Sequence, residues 1–143
     1  MRRNIKLLSA ATLLLVLLAG LSGCLPAQKA GLSDQQVASL TENILRAIND
    51  NNYPAFTHDF SPQMKAAFPP EKFTQLRTML ITASGNFLYS NAPSLADNQG
   101  YAVYRFPCKY DNETVTVTVT FVIGGQEVEG LWFDSTALRK VSQ

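Results

Sequence analysis

The chain has 143 residues, of which 12 are basic and 11 acidic, and 46% of its residues are apolar. This length predicts one domain. Without Arg2, Arg3 and Lys6 at the N-terminus, nine basic residues remain against eleven acidic ones. Such a balance is unlike the basic surface of a nucleic-acid-binding protein, so we expect no nucleic acid partner.

The N-terminus has the pattern of an export signal. Arg2, Arg3 and Lys6 precede an uncharged, leucine-rich stretch over residues 7–21. As a helix, this stretch would span roughly 22 Å at about 1.5 Å per residue, which is short of the ~30 Å hydrocarbon core of a bilayer. The length therefore suits a signal peptide better than a permanent membrane span.

The stretch ends in Leu21-Ser22-Gly23-Cys24. This sequence resembles the lipobox of bacterial lipoproteins, which implies cleavage between Gly23 and Cys24 and attachment of lipid to the Cys24 thiol. A transmembrane helix, or a conventional signal with a chance cysteine, is the alternative. We predict a signal peptide over residues 1–23, a lipidated N-terminus and tether over residues 24–32, and one domain over residues 33–143. The membrane is then a partner through the lipid anchor.

The residue after Cys24 indicates in which membrane a lipoprotein of a Gram-negative cell finally resides. In lipoproteins sorted as in enterobacteria, an aspartate at that position retains the protein at the inner membrane. Leu25 stands there instead. The resemblance therefore implies an outer-membrane lipoprotein facing the periplasm in a Gram-negative cell, and otherwise one on the outer face of the cytoplasmic membrane.

The first part of the domain reads as helices. Ser33 and Gln36 have the spacing of a capping box, and apolar residues follow at helical intervals until the polar residues 49–52. Residues 53–60 predict a short second helix, residues 61–67 another short turn, and residues from Glu71 a helix that stops at Ser84-Gly85.

After Gly85 the apolar period changes from helical to strand-like. Strands are predicted over residues 86–92, 101–110, 114–123 and 127–134, with turns at 97–100, 111–113 and Gly124-Gly125. Residues 114–123 alternate valine, phenylalanine or isoleucine with threonine, which indicates a half-buried antiparallel strand. Gly130 indicates a bulge or bend in the last strand. The fold class is therefore α+β, with N-terminal helices packed on a four-stranded antiparallel sheet.

Several segments support a more specific assignment. The segment NNYPAFTHDFS over residues 51–61, the strand YAVYRFPCKY and the closing GLWF at residues 130–133 stand in this order. Together they resemble small secreted domains of the nuclear transport factor 2-like (cystatin-like) superfamily. The resemblance implies a cone, in which a curved sheet wraps around the helices and leaves a cavity at its open end. Members use that cavity for catalysis, ligand binding or dimerisation, so the fold does not choose among these functions.

Few residues of the domain are candidates for a catalytic or metal-binding role. His58 is the only histidine, so we expect no metal site and a capping or surface role for this side chain. With Cys24 lipidated, Cys108 is predicted to be a lone, buried thiol. Candidates for an acid or base inside a cone are Tyr53, Asp59, Tyr104 and Arg105, but they form no recognisable catalytic set, and we expect no cofactor.

Aromatic residues dominate the predicted interior. Ordinary core is one interpretation, and an open apolar pocket is the other. The residues expected to line such a pocket are Phe60, Tyr104, Phe106, Phe121 and Trp132. The leading hypothesis is a membrane-anchored, non-enzymatic domain that binds a small apolar ligand or an envelope protein. The alternatives are a cone-pocket enzyme of the isomerase or dehydratase type, and a structural module that forms a homodimer through its sheet.

Overall fold

The computed structural model describes residues 26–141, so the predicted signal peptide, Gly23 and Cys24 lie outside the described residues. The described part confirms the α+β class, with five helices and a five-stranded antiparallel sheet. The helices are α1 (Asp34–Asn49), α2 (Tyr53–Thr57), α3 (Pro62–Ala67), α4 (Pro70–Ala83) and α5 (Thr136–Val141). The strands are β1 (Phe87–Ser90), β2 (Ser94–Asn98), β3 (Tyr101–Tyr110), β4 (Thr114–Val122) and β5 (Val128–Asp134).

Helix α1 begins as its sequence predicts. The Ser33 hydroxyl accepts a hydrogen bond from the Gln36 N–H at 3.2 Å, and the Ser33 N–H donates to the Gln36 side-chain oxygen at 2.9 Å. This capping box satisfies backbone groups that have no partner inside the helix. The predicted apolar face is buried against the sheet and helix α2 through Val37, Leu40, Ile44, Leu45 and Ile48.

Strand β3 lies at the centre of the sheet. It pairs with β4 on one side and with β1 and β2, one after the other, on its second side, while β5 extends the sheet beyond β4. The inward-facing residues of β4 are fully buried, as the alternation predicts: Val115, Val117, Val119 and Phe121. The pairing of β4 with β5 shifts register next to Gly130, where the sequence predicts an irregularity.

The structure differs from the sequence prediction at two elements. Strand β2 is a fifth strand: the sequence predicts no strand there, and it predicts a turn at 97–100 that overlaps Asp97 and Asn98 of this strand. Its sequence, SLADN, has no strand alternation, and its five residues pair with β3 from Tyr101 to Arg105. Helix α5 was also missed, because it has only six residues and a single buried apolar side chain, Leu138.

An aromatic cluster joins the short helices to α4. The Phe56 ring lies 4.9 Å from Phe60, 5.2 Å from Phe68 and 4.8 Å from Phe73, measured between ring centroids. Phe56 is fully buried, so the cluster connects α2, the segment after it and α4 in one core. Within residues 26–141, no helix has the length and apolar character needed to cross a bilayer.

We expect the substitution Phe56→Ala to lower the free energy of unfolding by about 3–5 kcal/mol, because it leaves a cavity among three other rings. Urea denaturation followed by circular dichroism measures this loss. The matched control is Tyr89→Ala, whose side chain is 53% exposed; its effect should stay within about 0.5 kcal/mol. Equal losses in the two variants would contradict the burial of Phe56.

Candidate functional site

An apolar groove lies between α4, the end of β5 and α5. Leu76 and Met79 of α4 form one wall, and Leu131 and Phe133 of β5 form the opposite wall. These four side chains are only partly buried, although they pack against the core. The inward face of β5 is therefore not fully covered at Leu131 and Phe133.

Phe68, Trp132 and Leu138 complete the apolar lining, and the groove has a volume of about 560 Å³. Pockets for small molecules usually measure about 300–1,000 Å³ and are lined mainly by apolar side chains. A second depression of about 530 Å³ lies between α4 and Val141, and it shares Met79 with the groove. The site thus has the size and the chemistry of a binding site for an apolar molecule.

An ion pair forms part of the groove rim. The Arg139 Nε–H donates to Asp134 Oδ1 at 2.7 Å, and a second guanidinium nitrogen contacts Asp134 Oδ2. This hydrogen bond from Arg139 lowers the pKa of Asp134, and the same contact raises the pKa of Arg139. Because the two opposite charges compensate each other, this part of the rim presents no net charge to a ligand.

Glu113 holds α5 in place beside the groove. Its carboxylate accepts hydrogen bonds from the Ser84 hydroxyl at 2.6 Å, the Ser135 hydroxyl at 2.7 Å and the Ala137 N–H at 3.3 Å. Burial by itself raises the pKa of Glu113, but these donors and the nearby charge of Lys140 outweigh it and hold the pKa below its ordinary value. One carboxylate thereby connects the end of α4 to the start of α5.

A family model with the description "Protein of unknown function (DUF3887)" matches residues 41–130, which run from α1 into β5. The chain belongs to the DUF3887 family. No curated protein matches it, and no solved structure matches it. The matched span includes the α4 wall of the groove and ends just before Leu131.

The residues predicted to line a pocket fall into two groups in this DUF3887 domain. Phe60, Tyr104, Phe106 and Phe121 are at most 1% exposed, so they belong to the filled core and do not line the groove. Trp132 does border the groove, and it is 69% exposed. The structure does not bring these five residues together into one cavity.

Sequence reasoning missed most of the groove. Leu131 and Phe133 pair with buried Val119 and Val117, so their alternation marks them as inward-facing. Leu76 and Met79 lie on one side of α4 at a spacing of three residues. Both signals were present, but nothing in the sequence indicates that the helices stop short of covering β5.

The candidate acid–base residues are dispersed. The Tyr53 hydroxyl donates to the Phe68 carbonyl at 3.0 Å, and the Tyr104 hydroxyl accepts from the Ala30 N–H at 3.3 Å. Arg105 is exposed on the outer face of the sheet. Each therefore has a structural or surface role, and none of the three borders the groove.

His58 and Asp59 form a surface pair. Their Nδ1 and Oδ1 atoms lie 2.8 Å apart in a polar depression of about 310 Å³, and the His58 side chain is 78% exposed. His58 also follows α2 as its C-cap residue, in agreement with a capping or surface role. Among the residues that the structure describes, no group of three or more His, Cys, Asp or Glu side chains could hold a metal ion.

Cys108 is fully buried and forms no disulfide. Burial raises the pKa of its thiol to about 12, with a smaller contribution from the charge of Glu42. The thiolate is the reactive form of cysteine, so this side chain is unreactive at neutral pH. This confirms the prediction of a buried, apolar cysteine.

We expect the substitution Glu113→Gln to destabilise α5 at neutral pH. The folded-state pKa of Glu113 lies below its ordinary value of 4.5. The ionised carboxylate therefore stabilises the fold above about pH 4.5, and this contribution is lost as the pH falls through the folded-state pKa. At pH 7 the free energy of unfolding should fall by about 1 kcal/mol. The loss should shrink in acid, where the wild type also loses the carboxylate.

Hydrogen–deuterium exchange checks where this effect occurs. At pH 7 the amides of α5 should exchange faster in the Glu113→Gln variant than in the wild type, whereas those of α1 should exchange at the same rate in both. The matched control is Glu127→Gln, which changes an exposed carboxyl in the turn before β5. If Glu113→Gln leaves α5 exchange unchanged, Glu113 does not hold this helix.

Proposed function

We propose that this DUF3887 chain is a lipoprotein of the bacterial envelope, and that its domain binds an apolar ligand in the groove without catalysing a reaction. The observation that carries the binding function is a groove of about 560 Å³ lined by seven apolar residues: Phe68, Leu76, Met79, Leu131, Trp132, Phe133 and Leu138.

The N-terminal sequence supports the anchoring half of the proposal. A basic start, a short leucine-rich stretch and the Gly23-Cys24 pair occur in the order of a lipoprotein signal. One acyl chain gives marginal, reversible binding to a membrane, whereas two or more chains give stable anchoring, at about 0.8 kcal/mol per buried methylene. A diacylglyceryl group on Cys24 would supply two acyl chains.

The fold supports a wider relationship. We infer membership of the nuclear transport factor 2-like superfamily from helices that precede one antiparallel sheet and pack on its inner face. In this chain the inner face is filled by aromatic residues, and the accessible space lies at the margin, beside β5. The binding function is therefore assigned to the groove and not to the centre of a cone.

The chemistry of the groove favours a neutral ligand. Asp134 and Arg139 neutralise each other at the rim, so contact with apolar surface is the main source of affinity. Pairing of two copies through the outer face of the sheet is the alternative binding function. It is favoured by Trp132, which stands exposed among threonines on that face.

The anchor is tested by the substitution Cys24→Ala. We expect this variant to incorporate no radiolabelled palmitate and to keep its full precursor mass in a bacterial host, because the thiol that receives the lipid is gone. Cys108→Ala is the matched control, since these are the two cysteines of the chain, and it should be acylated and processed normally. Acylation of the Cys24→Ala variant would contradict the lipoprotein assignment.

The groove is tested by the substitution Met79→Lys in residues 25–143 produced without lipid. We expect the affinity for the neutral fluorophore N-phenyl-1-naphthylamine to fall by about tenfold or more, because binding of the probe would remove water from the ammonium group in the groove. Met64→Lys is the matched control. Met64 is also a partly buried methionine at the edge of the core, but it does not line the groove.

A titration followed by fluorescence gives the affinity of the wild type and of each variant for the probe. If the wild type and the two variants bind the probe with equal affinity, the probe does not bind in the groove. Native mass spectrometry of the same preparation then distinguishes a bound small molecule from a dimer, and a dimer with an empty groove would favour the alternative function.

A further inference from the structure

Residues 28–31 are bound along one end of the sheet, and we call them the N-terminal strap. The Gly124 N–H donates to the Lys29 carbonyl at 3.0 Å, and the Gly31 N–H donates to the Gly125 carbonyl at 2.7 Å. At the same end of the sheet, the Gln28 N–H donates to the Asp97 carboxylate at 3.1 Å. The last part of the predicted tether is therefore attached to the domain at several points.

The strap fits closely against the turn between β4 and β5. A Cβ atom added to Gly31 would lie 2.3 Å from the Gly124 carbonyl oxygen, which is far closer than two such atoms can approach. Ala30 is 8% exposed, and its N–H donates to the buried Tyr104 hydroxyl. The strap is thus packed as well as hydrogen-bonded, and its position relative to the sheet is fixed.

The strap lies close to the residue that would carry the lipid. Only Leu25, Pro26 and Ala27 separate Cys24 from Gln28. Four residue steps reach at most about 14 Å at roughly 3.5 Å per step. If Cys24 is anchored at a bilayer, as proposed above, the strap must lie within that distance of the lipid headgroups.

The strap contacts one end of the sheet and leaves the other end free of it. The strap contacts the turns at residues 97–100 and 124–126, which we call the proximal edge. The turn at residues 111–113 lies at the opposite end of β3 and β4. Eight residue steps along β4 separate these ends by about 26 Å, at roughly 3.3 Å per step.

The side chains of the proximal edge suit an interfacial position. Tyr101 and Val122 are directly opposite each other in the β3–β4 ladder, and they are 43% and 45% exposed. Tyrosine is enriched at membrane–water interfaces, because its ring is apolar and its hydroxyl is polar. The proximal edge therefore offers the headgroup region an aromatic and an aliphatic side chain next to polar turns.

We propose that the strap orients the domain on the membrane, with the proximal edge against the lipid headgroups and the groove held on the aqueous side. This inference rests on the proposed lipid anchor. Phe133 of the groove is opposite Val117, five residues along β4 from Val122. Phe133 therefore lies about 17 Å along the strand from the proximal edge, and Leu131, which is opposite Val119, lies about 10 Å from it. In this orientation the groove opens to water, and its ligand arrives from there and not from the bilayer.

The test uses the full acylated protein in vesicles of phosphatidylethanolamine and phosphatidylglycerol that contain a headgroup-spin-labelled phospholipid. A bimane fluorophore is attached either at Asn98→Cys on the proximal edge or at Asn112→Cys in the opposite turn. These are two exposed asparagines at opposite ends of the sheet. Cys108 is fully buried and does not compete for the label.

We expect the spin label to quench the fluorophore at position 98 several-fold more than the one at position 112. A Gly-Ser insertion of about ten residues after Ala27 adds roughly 17 Å of reach, and it should reduce the ratio of quenching at position 98 to quenching at position 112 towards one without changing the fold. Gly31→Val should do the same by displacing the strap. The circular dichroism spectrum of each variant controls for folding.

Equal quenching at both positions in the wild type would overturn the orientation. Persistence of the full difference after the insertion would also overturn it, because the strap would then not be its cause. Failure of the protein to acquire lipid and bind vesicles is a separate result. It would overturn the lipid anchor itself, and it is recognised by mass before any quenching is measured.

Discussion

The pairing of β3 with β4 is the interaction on which the other parts of the domain depend. Nine residue pairs join the two strands without a register shift, from Tyr101–Val122 to Lys109–Thr114. This long ladder places one row of apolar side chains on each strand against the helices. It also defines the two ends of the sheet, where the strap and Glu113 make their contacts. A shift of one residue would turn both apolar rows towards solvent.

The groove arises from incomplete coverage at the margin of this sheet. The centre of the inner face is filled by the aromatic residues of β3, α2 and α4, which leaves little space for a ligand. At the margin of the sheet, Leu131 and Phe133 of β5 keep part of their apolar surface exposed. Helix α5 closes one side of that surface because Glu113 binds its first turn. A surface carboxylate therefore helps to shape an apolar site.

Much of the fold could be predicted from local patterns, and the site could not. The threonine–valine alternation of β4 and the capping box of α1 depend on neighbouring residues alone, so the sequence was sufficient for both. Strand β2 forms because β3 offers it a free edge, and its own residues carry no strand pattern. The same limit applies to Tyr104 and Phe121. Apolar character predicts that they are inside, but whether the interior is filled or open depends on how all its side chains pack together.

The strap has a consequence for the order of events during biosynthesis. The Gln126 side chain bonds to the Gly31 carbonyl across a sequence separation of 95 residues. A chain is made from its N-terminus, so the Lys29 carbonyl and the Gly31 backbone groups have no partners until the turn at residues 124–126 has emerged. Contacts between such distant segments form late, since they require most of the chain to be in place. A chain truncated before Gly124 would therefore keep, of the contacts between the strap and the sheet, only those with Asp97 and Tyr104, and its N-terminal segment would be more open to proteases.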